Sequence, residues 1–165
     1  MQLPQRYVPK QLTRKDRKRQ IAMVLRSRKA YNNRMYKTRK RLPSFKNKTS
    51  SHILKEKQVY KTDKSGPSAE LARKTGCSMN ALRQIVRKGE GAYYSSGSRP
   101  NQTAHSWGLA RLASSLTSGK AAAVDYNILE KGCDHNKRAF RLAQKARQKY
   151  GYGHGTTRKV AVQNR

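Results

Sequence analysis

The chain has 165 residues, of which 39 are Lys or Arg and only eight are Asp or Glu, so its formal net charge is +31 at pH 7. In a compact monomer so many positively charged side chains repel one another, and binding of an anionic partner reduces that repulsion. With so few carboxylates a paired acid–base site is improbable, and no run of about 18 apolar residues is present to span a membrane.

The charge divides the chain into three parts. Residues 1–64 hold 21 Lys/Arg and three Asp/Glu, residues 65–136 hold nine and five, and residues 137–165 hold nine and none. The nearly balanced middle part has the clearest helix signals, which predict a mainly α fold with a small helical domain at 65–136. The flanking parts predict long basic arms, N-terminal with a helix and C-terminal with a helix and tail, that order on contact with a partner.

In the N-terminal part, Pro4 and Pro9 favour an extended segment at Gln5–Gln11. Thr13 is typical of a helix N-cap and predicts a helix over about 14–30, with an optional extension through Tyr31–Arg41. A second helix is predicted at His52–Tyr60. Two clusters of cations are expected to bind a polyanion or partner: Arg14, Lys15, Arg17, Lys18 and Arg19, and then Arg39, Lys40 and Arg41.

The rest of the chain contains helices separated by glycines. They are predicted at Pro67–Thr75, at Met79–Lys88 with Ser78 as its cap, from a cap at Asn101 or Thr103 to about Leu116, and from Asp134 to Tyr150. A short turn that Asp125 can cap is predicted through Ile128 and Leu129 to Gly132. Gly76, Gly89 and Gly119 are the expected stop signals, and Gly89–Asn101 is expected to form a loop. No segment alternates as a strand does, and the residues from Gly151 onward are expected to be flexible.

The stretch from Leu71 to Ile85 resembles a helix-turn-helix. Its small Ala72 allows two helices to approach closely, and Gly76 supplies the turn. In this interpretation Met79–Lys88 is a recognition helix, and its groove-facing residues are Asn80, Arg83, Gln84 and Arg87. A plain two-helix hairpin in a small core explains the same pattern.

Other chemistry finds little support in the residues. Cys77 and Cys133 are far apart, and no Cys-x-x-Cys or His-x-x-x-His pair is present, so we expect no metal, no cofactor and no catalytic residue. Two cysteines form no disulfide framework, which favours synthesis in a reducing, intracellular compartment, and a bridge between them is the less favoured alternative. Met1–Arg19 has no signal-peptide pattern. Four tyrosines, Tyr7, Tyr31, Tyr36 and Tyr60, are interleaved with the cations, and stacking on bases and anchoring in protein grooves both suit them.

Several segments resemble a known family. They are Gly-Pro-Ser-Ala-Glu-Leu-Ala-Arg-Lys-Thr-Gly-Cys-Ser at 66–78, Ser-Gly-Ser-Arg-Pro at 96–100, Ser-Trp-Gly at 106–108 and the leader Tyr-Val-Pro-Lys at 7–10. Together they resemble an uncharacterised domain family of large nucleocytoplasmic DNA viruses, and they are similar to versions in tailed phages. The resemblance covers most of the chain, implies a place in the virion, and carries no catalytic residues.

These observations predict a structural protein of the virion of an icosahedral double-stranded DNA virus, most simply a minor capsid protein on the inner side of the shell. Its expected partners are neighbouring capsid proteins and an anionic surface, either packaged DNA or an internal membrane, with no small-molecule substrate. The alternative is a helix-turn-helix-like DNA-binding or DNA-condensing protein packaged in the virion. A ribosomal protein would share the charge and the arms, and an enzyme is the least supported class.

Overall fold

The computed structural model describes residues 1–155 and 157–163, and it is mainly helical. The helices in that part of the chain are α1 Arg14–Asn32, α2 Ser51–Tyr60, α3 Ala69–Thr75, α4 Met79–Ser95, α5 Ala104–Leu116, α6 Lys120–Val124, α7 Tyr126–Gly132 and α8 Arg138–Tyr150. Two short strands, β1 Gln2–Pro4 and β2 Lys159–Ala161, pair antiparallel. Among the described helices, none has the length and apolar character that crossing a membrane requires.

The chain forms two compact units. Unit 1 consists of Met1–Lys48, Glu90–Trp107 and Thr156–Arg165, and unit 2 consists of Thr49–Gly89 and Gly108–Gly155. These units do not coincide with the division at residues 64 and 136 that the charge distribution suggests. The difference arises because α4 and α5 each contribute residues to both units, which a division along the sequence does not allow.

Unit 1 has an apolar core of its own. Its buried members are Leu3, Tyr7, Val8, Leu12, Val24, Leu42 and Val162. Helix α1 begins where it was predicted, and the Thr13 hydroxyl accepts a hydrogen bond from the backbone N–H of Asp16 at 3.3 Å. Its optional extension is wrong, because Arg34 adopts a left-handed conformation and the Met35 N–H closes the helix end on the Ala30 carbonyl at 2.9 Å. Residues 1–48 are therefore folded around a core, and the expected N-terminal arm is not confirmed.

The two ends of the described chain pair with each other. Leu3 lies opposite Val160 in the β1–β2 ladder, and the Gln5 N–H donates to the Arg158 carbonyl at 2.8 Å. Gln5–Tyr7 forms a 3-10 turn, so the extended segment predicted at Gln5–Gln11 is wrong at its start. The expectation of a wholly flexible tail is also wrong, because Lys159–Ala161 forms strand β2. Its partner β1 lies about 155 residues away in sequence, and local patterns do not reveal so distant a pairing.

Unit 2 is a helical core in which α8 packs against α6 and α7. Its fully buried side chains include Leu71, Leu82, Ile85, Leu112, Leu116, Leu129 and Ala143. The predicted cap Ser78 and the predicted stop Gly76 are confirmed, and Ser68 caps α3. The Ser68 hydroxyl accepts from the Leu71 N–H at 3.0 Å, Gly76 ends α3 in the left-handed region, and the Ser78 hydroxyl accepts from the Ala81 N–H at 3.2 Å.

A disulfide joins Cys77 to Cys133, with the sulfur atoms 2.05 Å apart. The bridge, which was the less favoured alternative from the sequence, is therefore present. Two backbone hydrogen bonds flank the bridge, from the Ser78 N–H to the Gly132 carbonyl at 2.8 Å and from the Asp134 N–H to the Gly76 carbonyl at 2.7 Å. The cysteines are 56 residues apart in sequence, and closing a loop of that length stabilises the fold by about 4 kcal/mol in the chain-entropy account.

Asp125 connects three segments of unit 2 through its buried carboxylate. Arg111 donates to it from Nε and Nη2 at 2.8 Å each, and Lys88 donates from Nζ at 2.9 Å. Burial by itself would raise the pKa of Asp125, but the hydrogen bonds and charges of Arg111 and Lys88 hold that pKa below its ordinary value. Asp125 makes no side-chain hydrogen bond to the first turn of α7, and its carboxylate bonds to these cations instead.

Helix α4 continues through Gly89, which was predicted to stop it. A Cβ atom at Gly89 would stand 2.6 Å from the Cα of Gly108, so the absence of a side chain permits a close backbone approach of α4 and α5. The glycine that resembled a helix terminator is therefore a contact point inside a helix.

Two glycines of α4 give a matched test of this contact. Gly91→Ala should stabilise the protein by roughly 0.5–1 kcal/mol, because nothing lies within 4 Å of its Cβ position and alanine favours helix. Gly89→Ala should instead destabilise it by about 1–3 kcal/mol, because the new methyl meets backbone. Urea unfolding of both variants measures the difference, and a gain in stability at both positions would contradict the close approach.

Glu56 of α2 is a buried carboxyl group in unit 2 whose oxygens accept no hydrogen bond from the described residues. Its burial raises the pKa from the ordinary 4.5 to about 7, with Lys57 acting in the opposite direction. The folded protein therefore holds this proton more tightly than the unfolded chain does. The associated stability is fully present below about pH 4.5 and is lost as the pH rises through about 7.

We expect Glu56→Gln to remove this pH dependence. As the pH rises from about 4.5 to about 7, the unfolding free energy of the variant should increase relative to that of the wild type by about 3 kcal/mol. Urea unfolding at several pH values measures it, and Glu130→Gln, which changes an exposed carboxyl, is the matched control. Wild-type and Glu56→Gln profiles that run parallel would show that Glu56 does not titrate in this range.

Candidate polyanion-binding surface

The cations are distributed unequally between the units. Unit 1 contains 21 Lys/Arg against only two carboxylates, a net charge of +19, whereas unit 2 contains 18 against six, a net charge of +12. Unit 1 has 76 residues, so one residue in four carries an essentially uncompensated positive charge. A surface of this kind attracts anionic polymers at long range.

The first turns of α1 carry the densest cluster of exposed cations. Arg14, Lys15, Lys18 and Arg19 are all exposed, whereas Asp16 between them is buried. The Asp16 carboxylate accepts from the Ser44 hydroxyl at 2.6 Å and from the Ser44 N–H at 3.1 Å.

These two hydrogen bonds lower the pKa of Asp16, with Arg19 as a weaker contributor. The Asp16 carboxylate is therefore engaged in holding the segment after Pro43 and does little to neutralise the surface. The N-terminal end of the α1 dipole adds to the positive potential there.

Three of the eight predicted binding cations have partners within the chain. The Arg19 Nη1 lies 3.8 Å from the Asp16 Oδ1. The Arg17 Nη1 donates to the Val8 carbonyl at 3.2 Å. The Arg39 guanidinium lies over the Tyr93 ring, 3.7 Å from its centroid, and donates to Ser27 Oγ, to the Tyr93 carbonyl and to Ser98 Oγ at 2.8–3.0 Å. Burial lowers the pKa of Arg39. Arg39 therefore bonds to groups inside unit 1, while the adjacent Lys40 and Arg41 are exposed.

Asn101 is a structural residue of this surface that the sequence analysis assigned only to a helix cap. Its Oδ1 accepts from the Leu42 N–H, and its Nδ2 donates to the Leu42 and Phe45 carbonyls at 3.1 and 2.7 Å. It thereby holds the segment that carries Lys40 and Arg41. A shallow depression of about 210 Å³ beside it is lined by Arg39, Arg41, Asn47, Asn101, Gln102 and Thr103. No local sequence signal indicates this role.

The predicted recognition residues lie in unit 2. Asn80, Arg83, Gln84 and Arg87 are all exposed on one side of α4, as their spacing requires. Asn80 and Gln84 also line a depression of about 420 Å³ together with Asn127 and Lys131 of α7, whereas Arg83 and Arg87 do not. Sequence reasoning missed Asn127 and Lys131 because their proximity to α4 depends on tertiary packing. The four residues therefore divide into an amide pair beside α7 and an arginine pair away from it.

Within residues 1–155 and 157–163, no three His, Cys, Asp or Glu side chains form a group that could hold a metal ion. The side chains gathered on the surfaces described above are guanidinium, ammonium and amide groups. Such groups bind phosphate and other anions by charge and by hydrogen bonding.

In a comparison with known proteins, the chain matches the model of a protein family. The model of a family of unknown function, DUF5824, matches residues 4–150, which take in both cation clusters and the whole of α4. No curated protein and no solved structure gives a significant match. The family description assigns no activity to the surfaces described above.

Proposed function

The chain belongs to the DUF5824 family, whose function is unknown, and we propose that it is a structural protein of a DNA virus particle that binds nucleic acid through the phosphate backbone. The observation that carries this proposal is the charge of unit 1, whose sequence contains 21 cations and two carboxylates that both have partners within the chain. Asp16 is bonded to Ser44, and Glu90 lies 3.2 Å from His105 Nδ1. The charge of unit 1 is therefore left for an external anion to neutralise.

A phosphate polymer suits this surface better than a small anion does. The exposed cations are numerous and stand on separate segments, in the first turns of α1 and at Lys40 and Arg41, without converging on one closed pocket. A polymer engages such dispersed charges at once and gains free energy by releasing its condensed counterions. This arrangement favours backbone binding without sequence preference.

The location in a virus particle rests on the resemblance of segments 66–78, 96–100 and 106–108 to a domain family of large DNA viruses. A minor capsid protein on the inner side of a shell would meet packaged DNA or an internal anionic membrane with one surface and neighbouring capsid proteins with another. We propose DNA as the anionic partner and capsid proteins as further partners, and the proposal contains no catalytic step.

Salt dependence tests the phosphate contacts. If the six exposed cations of the two predicted clusters each neutralise a phosphate, log Kobs for duplex DNA should fall with log salt concentration with a slope of about −5 or steeper. Replacing Arg14 and Lys18 by Gln should reduce the magnitude of that slope by about 2. Fluorescence anisotropy with a labelled duplex measures both values.

The matched control is the replacement of Arg141 and Lys145 by Gln. These are also an exposed arginine and lysine four residues apart, but they lie on α8 of unit 2. An equal loss of slope in both double variants would mean that only the net charge of the protein matters for binding. A slope near zero in the wild type would contradict the proposed phosphate contacts. In disrupted particles, retention in the shell at high salt would instead favour capsid proteins as the main partner.

A second candidate function follows from α4. The exposed face with Asn80, Arg83, Gln84 and Arg87 follows a left-handed Gly76, an arrangement that a helix-turn-helix would use to place α4 in the major groove of DNA. The position of α7 beside Asn80 and Gln84 limits this candidate, because a reading helix must stand clear of its neighbours to enter a groove.

Arg83→Ala and Arg87→Ala distinguish the two candidates. If α4 reads bases, each change should weaken binding to a selected preferred sequence by about 1–3 kcal/mol and leave binding to unrelated duplexes nearly unchanged. Selection from a random duplex library followed by titration measures this difference. A loss that is equal for all sequences would assign both arginines to the phosphate backbone and contradict the helix-turn-helix candidate.

A further inference from the structure

Four tyrosines of unit 1 form a continuous row of ring contacts, here called the tyrosine ridge: Tyr31, Tyr36, Tyr94 and Tyr93. Tyr36 meets Tyr31 with ring centroids 5.9 Å apart and meets Tyr94 at 5.2 Å, and Tyr94 meets Tyr93 at 5.0 Å, each in an edge-to-face arrangement. Such contacts orient aromatic rings and hold them in place. The ridge is therefore a pre-arranged group of rings and not a set of separate side chains.

The ridge runs from the core to the solvent. Tyr93 is 1% exposed and carries the Arg39 guanidinium on its ring, whereas Tyr36 is 66% exposed and the adjacent Met35 is 50% exposed. By contrast, Tyr7 and Tyr60, the other tyrosines interleaved with cations in the sequence, are buried. Among the four tyrosines interleaved with cations in the sequence, Tyr36 is therefore the one whose ring is exposed and also contacts two other aromatic rings.

The end of α1 sets the position of that outer ring. Arg34 occupies a left-handed conformation with φ of 58°, its N–H donates to the Tyr31 carbonyl at 2.9 Å, and Met35 and Tyr36 follow directly. Glycine is the residue that this position favours, since a side chain strains a left-handed backbone. The chain instead places an exposed cation there, two residues before the exposed ring.

The chain around the exposed end of the ridge is cationic. Arg34 and Lys37 are exposed, Arg28 donates to the Ser96 carbonyl at 2.7 Å, and the sequence contains no Asp or Glu between Asp16 and Glu56. An exposed aromatic ring among cations with no nearby carboxylate along the chain matches the two chemical parts of a nucleotide. The ring offers a stacking surface for the base, and the cations suit the phosphates on either side.

We propose that the tyrosine ridge binds unpaired bases of a single-stranded nucleic acid segment, with Tyr36 as the residue on which a base stacks. This inference rests on the proposed nucleic-acid binding and deepens it, because it adds a preference that phosphate contacts cannot supply. Bases in a duplex are already stacked and paired, so only an unpaired base can reach the ring. The protein therefore binds single strands more tightly than its charge alone predicts.

The test compares Tyr36→Ala and Tyr36→Phe in the full-length protein, using a labelled thymidine homopolymer and a labelled duplex of equal length. Tyr36→Ala should weaken binding to the single strand by about 5- to 100-fold, leave duplex binding unchanged, and leave the salt slope unchanged because stacking releases no counterions. Tyr36→Phe should retain single-strand binding, since the ring remains. Circular dichroism and thermal unfolding check that both variants are folded.

Tyr152→Ala is the matched control, because Tyr152 is 77% exposed and is contacted by Arg147, but it lies in unit 2 outside the ridge. We expect it to bind both ligands as the wild type does. A Tyr36→Ala variant that loses single-strand and duplex binding equally, or loses neither, overturns the stacking role while leaving the proposed function standing. A loss confined to binding of phosphatidylserine vesicles also overturns it and assigns the ridge to a membrane.

A wild-type protein that binds neither nucleic acid in a salt-dependent manner overturns the proposed function and the stacking role together. That outcome is distinguishable from a failure of the ridge alone, because the wild-type duplex titration reports on the phosphate contacts independently of Tyr36.

Discussion

Mutual repulsion among 39 cations is the constraint under which the rest of this structure is arranged. Three of the eight carboxylates, Asp16, Glu56 and Asp125, are buried and are not spread over the surface. Asp16 and Asp125 instead hold segments together, one through Ser44 and the other through Arg111 and Lys88. With three carboxylates inside the fold, the surface keeps a large excess of cations, which is costly for a free monomer and favourable once an anionic partner is present.

The repulsion among cations must also be offset by the contacts that stabilise each folded unit. Unit 1 combines a small apolar core, the pairing of the two ends of the described chain and internal hydrogen bonds from cations such as Arg17 and Arg39. Unit 2 adds the Cys77–Cys133 disulfide and the close approach of Gly89 to Gly108. Cross-links and close backbone contacts of this kind compensate for the modest amount of apolar surface that a chain of this composition can bury.

The proposed functions depend on different parts of this arrangement. Phosphate binding follows from the number and exposure of cations in unit 1 and requires little precision in their placement. Base stacking on the tyrosine ridge requires a defined ring position, which Tyr31 and Tyr94 provide for Tyr36. The α4 face requires a helix free to enter a groove, and the proximity of Asn127 and Lys131 to Asn80 and Gln84 makes this the weaker candidate.

The amino-acid sequence is enough to predict the net charge, the mainly helical character and the helix ends that have local signals, such as Thr13 before α1 and Gly76 after α3. Caps and charge depend on residues close together in the chain. Only the tertiary structure decided which cations face solvent and which are internal. It also decided that Gly89 is a helix contact, that Cys77 meets Cys133 and that β1 pairs with β2. Each of these depends on residues far apart in sequence, whose proximity is set by packing and leaves no periodic or local signal.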